Sequence, residues 1–140
     1  MTARGFTEIE RGRGDAALPD LEMALSIRKS LLPDIHVENA NSIGNVASAY
    51  MQTLRKGSAE KAVAMFFDAL RINHEVCKVN PTEGNRLLHI RHLNLARALR
   101  VAGRFQEAFH HVEEARRYSV ETFGPGGHYE ASWVPLFLLL

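Results

Sequence analysis

One block occurs three times in the sequence. Ala17-x3-Leu21-x2-Ala24-Leu25-x-Ile27 recurs as Ala62-x3-Phe66-x2-Ala69-Leu70-x-Ile72 and, more loosely, as Ala108-x3-Val112-x2-Ala115, at separations of 45 and 46 residues. A chain that repeats itself at such a period folds as stacked supersecondary units, because no single unit buries its own apolar face. Steps of four and then three residues place each block on one stripe of a helix, with alanine where a neighbouring backbone comes close. Five residues before each leading alanine stands a glycine, Gly12, Gly57 and Gly103. Glycine adopts the left-handed backbone at little cost, so these three positions are expected to be turns.

Upstream of two of those turns, Asn45-Val46-Ala47-x2-Tyr50 and Asn94-Leu95-Ala96-x2-Leu99 share a second helical spacing. The expected unit is helix, turn, helix. Between units lie Leu32-Pro33-Asp34-Ile35-His36-Val37-Glu38 and Gly124-Pro125-Gly126-Gly127-His128-Tyr129-Glu130, which share Pro-x2-His-x-Glu, while Asn80-Pro81-Thr82-Glu83-Gly84 fills the equivalent middle position. Proline has no amide donor and clashes with a preceding helical turn, so each stretch ends one helix and begins the next. Alternating β-branched runs with hairpin turns are lacking, and the expected fold class is all-α. The units are placed at about 1–35, 36–82 and 83–127, and 128–140 opens a fourth unit or forms a closing helix.

These residues resemble the tetratricopeptide repeat (TPR) superfamily, and within it the longer repeats of the kinesin light chain type. The best-matching stretch is His92-Leu-Asn-Leu-Ala-Arg-Ala-Leu-Arg-Val-Ala-Gly-Arg-Phe-Gln-Glu-Ala108, where Leu95, Ala96, Leu99, Gly103, Phe105 and Ala108 fit the family pattern. The middle unit departs from it, carrying about three additional residues at Leu54-Arg-Lys-Gly-Ser-Ala-Glu-Lys-Ala62, with Tyr50 in the aromatic place. The first unit has only half of a first helix, around Gly5 to Ile9. The resemblance implies antiparallel helical hairpins stacked as a right-handed α-solenoid, here a piece of a longer array.

Composition closes off other classes. Lys and Arg total 17 against 16 Asp and Glu, so no global field gathers nucleic acid or an anionic membrane. The lone Cys77 supports neither an intrachain disulfide nor a cysteine zinc site, which fits a reducing compartment, the cytoplasm. The N-terminus lacks the apolar stretch of a signal peptide, and no apolar run has the roughly 18 residues that suggest a membrane span. Trp133-Val-Pro-Leu-Phe-Leu-Leu-Leu140 is an uncharged apolar tail, expected to pack on the last hairpin or to support self-association.

Candidates for chemistry have plain structural readings. His89-x2-His92 has ligand spacing on a helix, but adjacent His110 and His111 diverge by about 100° and cannot share one site. His92 falls where the family places a packing aromatic, while His36 and His128 sit in linkers. Cys77 near His74 has the spacing of a thiol and base, without the third residue or oxyanion loop that acyl chemistry requires, and reads as a partly buried hydrophobe. Gly124-Pro125-Gly126-Gly127 lacks the lysine and strand of a phosphate loop. Arg13-Gly14-Asp15 is too short a motif to carry weight, and Glu113-Glu114 has no counter-acid. No enzyme activity, cofactor or metal is expected.

Residues 86–117 hold Arg86, Arg91, Arg97, Arg100, Arg104, Arg116 and Arg117 against Glu107, Glu113 and Glu114. Ion pairs across helical turns are the simplest reading; a strip binding acidic peptide, phosphate or nucleic acid is the alternative. In stacked hairpins the first helices line the concave surface, which leaves Asn45, Ser48 and Gln52 of the middle unit and Asn94, Arg97 and Val101 of the third free to meet a partner. The resemblance implies that Asn45 and Asn94 bond the backbone of an extended peptide, with Arg97 favouring an acidic or carboxylate-terminated one. The expected function is a non-catalytic scaffold for a protein or peptide partner.

Overall fold

A computed structural model describes residues 3–53 and 55–124, with side chains for all of these except 3–12, 83–86 and 123. Five helices follow one another: α1 (Ala3–Leu31), α2 (Val37–Thr53), α3 (Ser58–Val79), α4 (Pro81–Val101) and α5 (Phe105–Phe123). Each packs chiefly on its neighbours in sequence, α1 on α2, α2 on α3, α3 on α4 and α4 on α5. That is the pattern of a helical repeat solenoid, and no strand occurs among the described residues.

The turns follow from local chemistry. Gly57, with φ of 84°, stands directly before α3. Gly103, with φ of 82°, closes α4 while its amide donates to the Arg100 carbonyl and the Arg104 amide donates to that of Leu99. This doubly bonded end satisfies two carbonyls that the helix leaves open. Asn80 alone joins α3 to α4, and Pro81 opens α4 at a position whose missing amide costs nothing. Before α2, His36 accepts the Glu38 amide on Nδ1 at 3.0 Å, and Asn39 Nδ2 donates to the Pro33 carbonyl at 2.8 Å. His36 is therefore a structural cap, as its linker position suggested.

Gly12 is not a turn. Helix α1 runs through Gly12, Gly14 and Pro19 without a break. The expected hairpin in the first unit is thereby corrected. Counting back from Gly12 as from Gly103, the places of Asn94, Leu95 and Ala96 are taken by Ala3, Arg4 and Gly5, so the segment lacks the apolar pair that would offset the cost of breaking the helix. Gly14 serves a different purpose, since a Cβ there would lie 2.7 Å from the Ala49 carbonyl oxygen and 2.8 Å from Gln52 Cβ. It lets α1 lie close against α2. Arg13-Gly14-Asp15 is thus helical, with Gly14 buried and Asp15 paired with Arg55 at 2.8 Å.

The alanine stripes do what their spacing predicts in α3 and α5. Ala62, Ala69, Ala108 and Ala115 are fully buried; Ala62 and Ala108 lie in the main cluster with Phe66, Leu70, Leu88, Leu95 and Leu99, and Ala69 and Ala115 in two smaller ones. Tyr50, in the aromatic place of the middle unit, joins three helices: its hydroxyl donates to Glu22 Oε1 at 2.6 Å and Lys61 lies 4.4 Å from the ring centre.

One buried cation binds the units together. The Arg91 side chain of α4 is buried, its Nε donates to Asn73 Oδ1 of α3 at 2.8 Å, and its Nη2 donates to Asn41 Oδ1 of α2. Its Nη1 lies against Gly44, where an added Cβ would approach to 2.8 Å. Gly44→Ala is expected to cost about 1 to 3 kcal/mol by overpacking a guanidinium that two amides hold in place, read as a lower urea midpoint with unchanged slope. Gly103→Ala meets no atom within 4 Å. Its cost, about 1 kcal/mol, comes from the positive φ alone, and it should lower the midpoint by less.

Candidate functional site

Residues three and four apart share a helix face, so Asn45, Ser48 and Gln52 form one stripe of α2 and Asn94, Arg97 and Val101 one stripe of α4. Asn45, Ser48, Gln52, Arg97 and Val101 are exposed and Asn94 is half-buried. The opposite faces are sealed by Val46 and Ala47 on α2 and by Leu95 and Leu99 on α4, and Ala49 and Ala98, which adjoin the stripes, are buried as well. The two stripes occupy the same register, and the same buried joint lies beneath both. Asn41, one turn before Asn45, is a partner of Arg91, which stands three residues before Asn94. The stripes thus present amides, a hydroxyl and one guanidinium, groups suited to a peptide backbone and to carboxylates.

The histidines gather elsewhere, inside the third hairpin. His92 of α4 and His111 of α5 are buried with their Nδ1 atoms 2.9 Å apart, and the His92 ring stacks on Tyr118 at 5.4 Å. His74 of α3 meets the edge of His92 at 6.0 Å, and Phe67 that of His111 at 5.5 Å. His92 Nε2 is buried without a partner. The tautomer that leaves no buried N–H stranded has His92 Nδ1–H donating to His111 Nδ1, with His92 Nε2 unprotonated. Burial, and then the neighbouring His111 and His74, hold the His92 imidazole down at about 3. Burial likewise lowers His111 and His74. This is the packing role expected of His92, performed by a stack of neutral rings. Among the described residues no group of three or more His, Cys, Asp or Glu is arranged to hold a metal ion. Cys77 is half-buried against the main cluster, its Sγ 3.9 Å from the Pro81 carbonyl.

The arginines of the third unit divide among different roles. Arg91 is sealed in the interior. Arg104 pairs with Glu107 at 2.6 Å and Glu60 at 3.1 Å, and Arg117 with Glu114 at 2.7 Å and Glu121 at 3.3 Å. These pairs hold Arg104 and Arg117 above the ordinary guanidinium range and Glu107 and Glu114 below the carboxylate range. Arg97 is exposed on the α4 stripe. Sequence reasoning missed the Arg91 joint, although its signal was present: Arg91 shares the helix face of Leu88, Leu95 and Ala98, all buried.

A family model described as tetratricopeptide repeat matches residues 1–38 and 93–129. The chain belongs to the tetratricopeptide repeat family. The TPR match over 93–129 covers the second half of α4 and all of α5, whereas that over 1–38 falls mostly on the single helix α1. TPR repeats generally mediate protein–protein interaction and are generally non-catalytic scaffolds. Comparison with curated proteins and with solved structures returned no match. No helix among the described residues is long and apolar enough to cross a membrane. The linker after Gly124, His128 and the apolar tail with its expected self-association lie outside the described residues.

Between the ordinary imidazole value of 6.5 and about 3, the unfolded chain takes up a proton that folded His92 refuses. Stability from this group is therefore complete above about pH 6.5 and falls as the pH drops below it. The fall should reach about 1 to 2 kcal/mol by about pH 5. His92→Phe, which keeps an aromatic ring on Tyr118, should flatten the dependence of melting temperature on pH over that range. An equally steep profile in the variant would exclude His92 as its source.

Proposed function

We propose that this TPR chain is a protein-interaction module that holds an extended peptide across the α2 and α4 stripes, with Asn45 and Asn94 bonding the peptide backbone. The observation that carries this reading is the coincidence of register: Asn45 with Asn94, Ser48 with Arg97 and Gln52 with Val101 hold matching positions on α2 and α4, all exposed but the half-buried Asn94, while Val46, Ala47, Leu95 and Leu99 behind them are buried. Asparagine offers a donor and an acceptor and so matches a peptide unit, which presents the same pair. Arg97 adds a planar fork for a carboxylate and favours an acidic or C-terminal ligand. The cytoplasm, where a lone cysteine stays reduced, is the compartment this reading expects.

Ligation of nucleic acid or phosphate by the third unit has less to draw on. Such a strip needs several unpaired cations along one face, whereas Arg91 is interior and Arg104 and Arg117 already hold carboxylates.

A display library of acidic and neutral peptides, with free or amidated C-termini, tests the reading. Binders should be acidic, Asn45→Ala with Asn94→Ala should weaken them about tenfold or more, and Arg97→Glu should reverse the charge preference. The helical spectrum and melting temperature should stay close to those of the unaltered protein, since all three side chains lie outside the core. Undiminished binding in the double variant would remove the site from these stripes.

A further inference from the structure

Helix α5 is held to the rest of the chain by rings more than by hydrocarbon. Among its described side chains the buried apolar residues are Ala108, Val112 and Ala115, whereas α3 buries Ala62, Val63, Phe66, Ala69, Leu70 and Ile72. The bulk that α5 adds is His111, buried, and Tyr118, half-buried. The His111 ring stacks on His92 of α4 at 5.1 Å and meets the edge of Phe67 of α3 at 5.5 Å. The Tyr118 ring stacks on His92 at 5.4 Å and meets the edge of His74 of α3 at 6.3 Å. The stack has no place for a charge. Two Nδ1 atoms 2.9 Å apart leave room for one hydrogen, and a second would set two N–H groups against each other. His92 Nε2, the other place for a proton, is buried with no acceptor beside it.

We propose that this stack is an acid-triggered latch: protonation of His92 and His111 releases α5 from α3 and α4, while α1, α2, α3 and α4 keep their packing. The released form parts the two rings, gives each imidazolium to solvent, and bares Leu93 and Ala96 of α4, which lie in one cluster with Val112 and Ala115. The remaining helices stay together because neither the cluster of Ala40, Ile43, Ala69 and Ile72 nor the Arg91 joint contains a residue of α5. His92 faces His74 of α3 and His110, His111 and Glu114 of α5, and His89 lies one turn before it on α4. Glu114 favours a charge on His92, His111 and His74, as do Glu107 on His111 and Glu75 on His74, while Arg117 and Lys78 oppose it on His74. Arg117 holds Glu114 at 2.7 Å and Arg104 holds Glu107 at 2.6 Å, and burial outweighs the acids at all three rings. Docked His92 stays near 3 and a solvated ring titrates near 6.5, so the released form gains as the pH falls below 6.5. The latch does not depend on what the stripes of α2 and α4 bind.

Distances between spin labels, measured by pulsed electron resonance on the whole chain in a Cys77→Ser background, test this. Labels at Ala64→Cys on α3 and Arg116→Cys on α5, both exposed positions, should show one distance at pH 7. At pH 5 a second, longer and broader distance should appear, and the ratio of released to docked form should rise about twentyfold or more over that range. Labels at Met23→Cys on α1 and Ala64→Cys should keep a single distance throughout. His92→Phe with His111→Phe, which keeps two rings in the stack without a site for a proton, should remove most of the rise. Should that variant fold poorly, NMR of the histidine ring nitrogens in the unaltered chain replaces it, where a charged His92 ring should occur only in the released form. An α3–α5 distance still single at pH 5, loss of both distances together, a rise undiminished in the phenylalanine variant, or a charged His92 ring in the docked form would each overturn the proposal.

Discussion

The arrangement of the helices rests on a guanidinium placed where a solenoid would ordinarily put a hydrocarbon. Arg91 lies among α2, α3 and α4, and its polar partners are the amide oxygens of Asn73 and Asn41. Burial lowers its pKa from the ordinary arginine value, which measures how little this interior favours charge, though arginine still keeps its proton. A buried cation is tolerated only where its donors are used, so the two asparagines are a requirement of the position. Directional bonds to two helices fix a third more narrowly than apolar contact does. Since Asn41 is one turn from Asn45 and Arg91 is close to Asn94, the spacing of the two outer stripes is set from below by this joint.

The polar chemistry of the protein therefore divides by depth. Groups in the interior, the Arg91 joint and the His92–His111 stack, use their hydrogen-bonding capacity to hold helices in register. A general base must be reachable and have a pKa near the working pH. His92 has neither property, being 4% exposed and held near 3. Groups outside the core, on α2 and α4, keep their donors and acceptors for solvent or for a partner. A scaffold needs that division: a rigid polar interior that specifies geometry and an outer face whose side chains can be changed without disturbing it.

Helix α1 illustrates how one sequence block acquires different roles from its neighbours. The alanine stripe of α3 is core because α2 lies on it, and that of α5 is core because α4 does. On α1 the same pattern is half surface. It is held through Leu25 of the same block, which joins a cluster with Ile43 and Ala69, and through Gly14, which permits contact with Ala49. In a one-dimensional stack each unit is stabilised by its neighbours, so the meaning of a residue lies in the next unit as much as in its own.

Much of this was legible in the sequence, because helical periodicity reports which face is apolar. The blocks at Ala62 and Ala108, the turns at Gly57 and Gly103 and the first helices at Asn45 and Asn94 follow from spacing alone. The exposure of Asn45, Ser48, Gln52 and Arg97 follows from the same arithmetic, while Asn94 is half-buried. The failures share one cause: a residue type can answer to two physical demands. Glycine serves wherever a Cβ is not tolerated, by torsion at Gly103 or by contact at Gly14 and Gly44, and only the second neighbour in space distinguishes the cases. Arginine reads as surface by composition, yet Arg91 obeys the buried period of Leu88, Leu95 and Ala98. Where type and period disagree in a helical repeat, the period carries more information, since the position of a side chain is fixed by the backbone and its burial follows from what stands opposite.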